Sequence, residues 1–207
     1  MRKIVTLLLL FFLFSNDSWG TAQIPDIIIY NGDTLALFDC PLYSFPNRDI
    51  INPKKLFGSK GCFFTACWRN YVATWKIINN ELILTKIRNA CYPTRMEGVA
   101  ASFKDVEKDS IGKEFSDLNE LFPDRCHDGK VKADWVNATI YAPFGKLLHY
   151  VHDGFESTYE FEFKFIIKNG NIVKVEKLDN RKAKQTVFTS KRDTLAEFLK
   201  SKIDWSK

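Results

Sequence analysis

The chain has 207 residues, a formal net charge of +5 and five cysteines, and aromatic residues make up 14% of it. This length suits one domain with a real core. Its apolar content excludes a disordered chain, its cysteine density a disulfide scaffold, and its scattered charge a densely basic nucleic-acid binder.

The first residues read as a secretory signal peptide over 1–22. Arg2 and Lys3 precede an apolar run from Ile4 to Phe14, then a polar stretch, then small residues at Gly20-Thr21-Ala22. The apolar run is well short of the ~20 residues a membrane span requires. No later stretch reads as a span, so the mature chain, 23–207, is expected as a single β-rich domain in the periplasm or outside the cell. In that compartment disulfides are allowed. The odd number among Cys40, Cys62, Cys67, Cys91 and Cys126 leaves at least one thiol over, which allows a linked dimer beside the expected monomer. Connectivity cannot be read from spacing, but Cys62 and Cys67 would point to opposite faces of a straight strand.

In chain order, Ile27–Tyr30 and Thr34–Phe38 flank Asn31-Gly32-Asp33, a hairpin signal. Pro41 and Pro46 bracket a loop, and the basic, turn-rich 52–61 segment reads as an exposed connection. The stretch Cys62–Ile77 is the aromatic centre. Phe64, Ala66 and Trp68 share one face of a first strand; Tyr71, Ala73, Trp75 and Ile77 share one face of the next; Arg69-Asn70 is a turn or bulge between them. Asn79-Asn80 leads into Glu81–Ile87 as another hairpin. Residues 94–113 read as a long loop. Asp117–Phe122 is a short helix capped by Asp117, with Glu120 at the reciprocal capping position and Pro123 stopping it. Val131–Ala142 reads as one strand, Pro143-Phe144-Gly145 as a turn, and Lys146–Val151 as the next strand. Tyr159, Phe161, Phe163, Phe165 and Ile167 alternate with Glu160, Glu162 and Lys164, a strand with one buried and one wet face. Asn169-Gly170 turns it into Ile172–Leu178. Leu195, Phe198, Leu199 and Ile203 recur at helical spacing, predicting a C-terminal helix. The fold class is therefore mainly β: an antiparallel meander of about eight or more strands, as a bent sheet, sandwich or open barrel, with a short mid-chain helix and a C-terminal helix.

For chemistry, the three histidines, His127, His149 and His152, lie near Cys126, Asp128 and Asp153 in sequence. Shared metal ligation requires convergence at about 2.0–2.3 Å, whereas a three-residue offset in a strand sends His149 and His152 to opposite faces. Cys126 beside His127, and Cys67 beside Arg69, are the candidates for thiol chemistry, weaker than buried or bridged cysteine. There is no nucleophile elbow and no phosphate loop, and Glu160/Glu162 read as a solvent face. An arginine among rings stacks or pairs with a carboxylate, and Arg69–Asp134 is the expected tie between sheets.

Thr65–Trp75, together with Ala133-Asp134-Trp135 and Gly145–His152, and the Tyr30–Asp33 hairpin followed by Pro41-Leu42, resembles a group of bacterial secreted proteins without a known activity. That resemblance brings no catalytic residues with it. The reading is an exported, non-enzymatic binding or interaction module, with no cofactor, no nucleic acid, and a ligand or envelope protein as partner. Its candidate binding residues are Trp68, Arg69, Tyr71, Trp75, Asp134, Trp135 and His149. The alternative is a hydrolase using the His/Asp/Cys cluster at 126–153, with His127, His149 and His152 as its metal ligands.

Overall fold

A computed structural model describes residues 21–62, 65–92 and 111–182. Residues 1–20 of the expected signal peptide, nearly all of the 94–113 segment and the C-terminal helix expected around Thr194–Ile203 lie outside the described residues.

Four two-residue turns set the strand pattern. Asn31/Gly32 (φ 52° and 90°), Asn79/Asn80 (50° and 61°), Asp128/Gly129 (51° and 68°) and Asn169/Gly170 (47° and 72°) are left-handed at both central positions. That geometry matches the twist of paired strands, and Asn, Asp and Gly adopt it at least cost. The turns join β1 (Asp26–Tyr30) to β2 (Asp33–Leu37), β3 (Tyr71–Ile78) to β4 (Glu81–Asn89), β5 (Cys126–His127) to β6 (Lys130–Lys132), and β8 (Thr158–Lys168) to β9 (Asn171–Asp179). β7 (Ala138–His149) pairs antiparallel with β8 through a longer loop. At Gly170 no other residue fits: a Cβ there would sit 2.6 Å from the Ala133 carbonyl oxygen.

The nine strands among the described residues form one mainly antiparallel sheet, ordered β2-β1-β3-β4-β9-β8-β7, with the β5–β6 hairpin set against β4. Among the described strands one pair is parallel, β1 with β3, after the long crossing between β2 and β3, and sequence order is broken again where β4 neighbours β9 and β6. The sheet bends hard between β4 and β9, which share a single residue pair, Glu81 and Asn171. Its two ends approach each other, and the Phe38 amide donates to the Tyr141 carbonyl at 2.8 Å. The seam goes no further. Tyr141 turns its carbonyl toward β2, so Pro143, two residues on, faces the same way with no N–H to give. The result is a curved, unclosed sheet around a core that includes Ile28, Leu37, Trp75, Leu84, Ile140 and Phe165.

Several local expectations are corrected. Cys62 and Thr65–Trp68, the described residues of the expected first strand, are not in a strand. Cys62 is bridged to Cys91, Thr65–Cys67 is a 3-10 turn, and Asn70 has φ 61°. The run between Gly61 and Asn70 is too short and too constrained for its alternation to act, and Trp68 ends 64% exposed. The 52–61 segment is not a plain connection, because it holds helix α1 (Pro53–Phe57), whose Leu56 and Phe57 are buried. Asn52 caps it by accepting from the Lys55 amide at 3.0 Å, and Gly58 ends it with φ 73°. Val131–Ala142 is not one strand, since the chain bends between β6 and β7 and buries Ala133 and Val136. Pro143-Phe144-Gly145 is not a turn; β7 continues through it with a bulge between Phe144 and Leu147. The expected mid-chain helix is present as α2 (Leu118–Leu121), with Asp117 accepting from the Asn119 amide at 2.8 Å.

Candidate functional site: the open end of the curved sheet

The candidate binding residues divide into a buried knot and a scattered remainder. In the knot, Asp26 Oδ1 accepts from Arg69 Nη2 and the Ala73 amide, both at 3.0 Å, and Asp26 Oδ2 accepts from the Trp75 indole N–H at 3.0 Å. Arg69 Nη2 also donates to the Ile24 carbonyl at 2.7 Å, and its guanidinium lies 5.5 Å from the Tyr71 ring centroid. The side chains of Arg69 and Asp26 are 2% and 0% exposed. Burial alone pushes the Asp26 carboxyl up; Arg69, the Trp75 N–H and the Ala73 amide pull it back. Burial works most strongly against the Arg69 charge, but Asp26, helped by Cys67, Cys40 and Tyr71, outweighs it and holds the guanidinium more basic than usual. Arg69 therefore pairs with Asp26 and not with Asp134. Asp134 pairs at the surface with Arg125, at 2.6 Å, because the bend after β6 carries it away from β3.

This knot ties β1 to β3 where they run parallel, with its ion pair buried. Trp135 is likewise a packing residue: it donates to the Pro41 carbonyl at 3.1 Å and meets Phe45 edge-on at 4.8 Å. The leftover thiols belong to the same interior. Burial raises Cys67 and pushes the Cys40 thiol up to about 12, whereas Cys126 is partly exposed. With the disulfide intact, iodoacetamide is expected to modify Cys126 in the folded protein and spare Cys40 and Cys67, all three reacting in urea. Peptide mass spectrometry reads this directly, and rapid native labelling of Cys40 or Cys67 would contradict the packing.

The histidines are not gathered. His127 is exposed on β5, His149 is exposed at the end of β7, and His152 lies beyond it, its Nδ1 2.7 Å from the Tyr150 hydroxyl. Among the described residues, no group of three or more His, Cys, Asp or Glu side chains is placed to hold a metal ion.

The structure instead collects exposed chemistry where β7 ends, β8 begins and β9 ends. The register puts Ile140, Ala142 and Phe144 of β7 on the same face as Phe165, Phe163 and Phe161 of β8. At one end of this row Ile140 and Phe165 are core. Toward the other, the Phe144 ring stacks on Phe161 at 5.3 Å and on Phe163 at 4.8 Å, and Phe163 meets Tyr30 edge-on at 5.2 Å. Phe144, Phe161 and Phe163 stay half-buried. Two cations lie across them: Lys177 Nζ is 4.9 Å from the Phe161 centroid and 5.3 Å from that of Phe144, and the Arg181 guanidinium is 4.6 Å from Phe161. Arg181 also holds Asp179 at 2.7 Å, lowering that carboxyl to about 2. Beyond the bulge, Lys146 through Tyr150 are exposed without interruption.

Of the seven residues named from the sequence, only His149 lies in this region. The alternation of Phe161 and Phe163 was a usable signal. The pairing of Lys177 with Phe163 depends on a register shift between Ile166 and Ile167, which composition does not show. Asp26 was hidden as a lone acid at the start of an apolar strand.

Compared with known proteins, the chain matches no family model, no curated protein and no solved structure.

Proposed function

We propose that this chain is an exported, non-enzymatic binding module that meets its partner in the cell envelope through the open end of the curved sheet. The observation that carries the reading is the row of rings running out of the core into solvent beneath Lys177 and Arg181, continued by exposed Leu147, Leu148 and Tyr150. Apolar and aromatic side chains held by a rigid sheet next to unburied cations are the composition of a contact surface. Export is supported by the charged-then-apolar N-terminus and by the Cys62–Cys91 bridge, which suits an oxidising compartment. No helix among the described residues is long and apolar enough to cross a membrane. The resemblance to bacterial secreted proteins points the same way.

A photo-reactive amino acid placed at Tyr150, and separately at Asn171 on the far turn, tests this in cells expressing the protein. Adducts are expected from position 150 and not from 171. Equal adducts from both positions, or none from 150, would contradict the reading.

A further inference from the structure

We infer that the open end docks on an anionic lipid surface, a conclusion that rests on the binding-module reading. Among the described residues, three of the seven exposed large hydrophobic side chains fall within four positions: Leu147 at 47%, Leu148 at 47% and Tyr150 at 56% exposure. Leu147 and Leu148 lie at the second irregularity of β7, where the register with β8 shifts between Leu147 and His149, and both are left exposed at the end of the strand. A strand end that presents two leucines with a tyrosine just beyond them suits insertion into the interfacial layer of a bilayer.

Charge selects the lipid. Lys146 adjoins the leucines, and Lys177, Arg181 and Lys182 stand on the β9 side of the same end. Lys177 makes no ion pair among the described residues; its contacts are the rings of Phe144 and Phe161. Three acids share this end, each engaged within the fold: Asp179 is held by Arg181, Glu160 Oε2 accepts from the Lys146 amide at 3.0 Å, and Glu162 Oε1 accepts from Asn180 Nδ2 at 3.4 Å. The β7–β8 loop, which carries Asp153 and Glu156, is tied toward β2. There Phe155 stacks on Phe38 at 5.3 Å, and the Gly154 carbonyl accepts from the Gln23 amide at 2.9 Å. The β9 side thus presents Lys177 and Lys182, exposed and without an ion pair among the described residues, beside the apolar tip. An exposed strand edge also invites a second copy, but Pro143 and the bulge after Phe144 are devices that discourage edge pairing.

The test is co-sedimentation of the mature, disulfide-bonded protein with vesicles of phosphatidylcholine alone or mixed with phosphatidylglycerol. Binding to the mixed vesicles is expected to be much the stronger and to weaken with salt. Lys177→Gln and Arg181→Gln should each lower the partition coefficient about fivefold. Leu147→Ser with Leu148→Ser should lower it by more than tenfold while circular dichroism stays unchanged. Equal binding to neutral vesicles, or indifference to the leucine pair, would overturn the inference, as would a concentration-dependent dimer abolished by the same substitutions. If vesicles are not bound but position 150 still forms adducts with a protein, the lipid inference fails and the binding-module reading stands. If neither occurs, both fail.

Discussion

Arg69→Met is expected to destabilise the folded domain by about 3–5 kcal/mol, because it leaves the Asp26 carboxylate in the interior without its counter-ion. Asp26→Asn should cost a comparable amount for the complementary reason: the Arg69 charge remains buried, and its Nε already lacks a hydrogen-bond partner. The double substitution should cost clearly less than the two single costs added together, since it removes both charges at once. Urea unfolding of the oxidised domain measures all three, and single costs near those of surface substitutions would show that the knot is not what ties β1 to β3. The Tyr71 hydroxyl, buried and also without a hydrogen-bond partner among the described residues, marks the same place as one where polar groups are held at some cost.

Loss of the Cys62–Cys91 bridge should have an effect of similar size. It spans a sequence separation of 29 residues, and closing a loop of that length restricts the unfolded chain by about 3–4 kcal/mol. The double Cys→Ser variant is expected to melt roughly 10 °C lower. Strands β3 and β4 lie inside the closed loop, so the bridge fastens the segment before β3 to the end of β4. A melting temperature unchanged by the substitution would mean that the reduced chain is already confined by its packing.

Legibility in the sequence followed the range of the interaction concerned. Turn chemistry acts over two residues, and Asn31-Gly32, Asn79-Asn80 and Asn169-Gly170 are visible as turns in the bare chain. The alternation from Tyr159 to Ile167 likewise gives β8 and its buried face. What failed depended on partners distant in sequence. Asp26 and Arg69 are 43 residues apart, and nothing local distinguishes Asp26 from a surface acid or Asp134 from a pairing partner. Trp68 carries the pattern of a core strand residue, but the constraints at Cys62 and Asn70 overrule a period of two. Pro143 and Gly145, ordinary turn residues, are instead absorbed into β7, where the proline faces the open seam and the glycine sits at the bulge. The candidate site suffered most: the rings could be assigned to a face, but the cations above them arrive from β9 through a shifted register.

Amide hydrogen exchange on the mature protein, with and without anionic vesicles, tests most directly the separation of a rigid buried knot from a contacting open end. The Ala73 amide, bonded to Asp26, should exchange only through global unfolding, while the amides of 145–150 exchange quickly and become protected when vesicles are added. Protection appearing instead around Trp68 or at the β5–β6 turn, or an Ala73 amide that exchanges as fast as those of 145–150, would contradict the account.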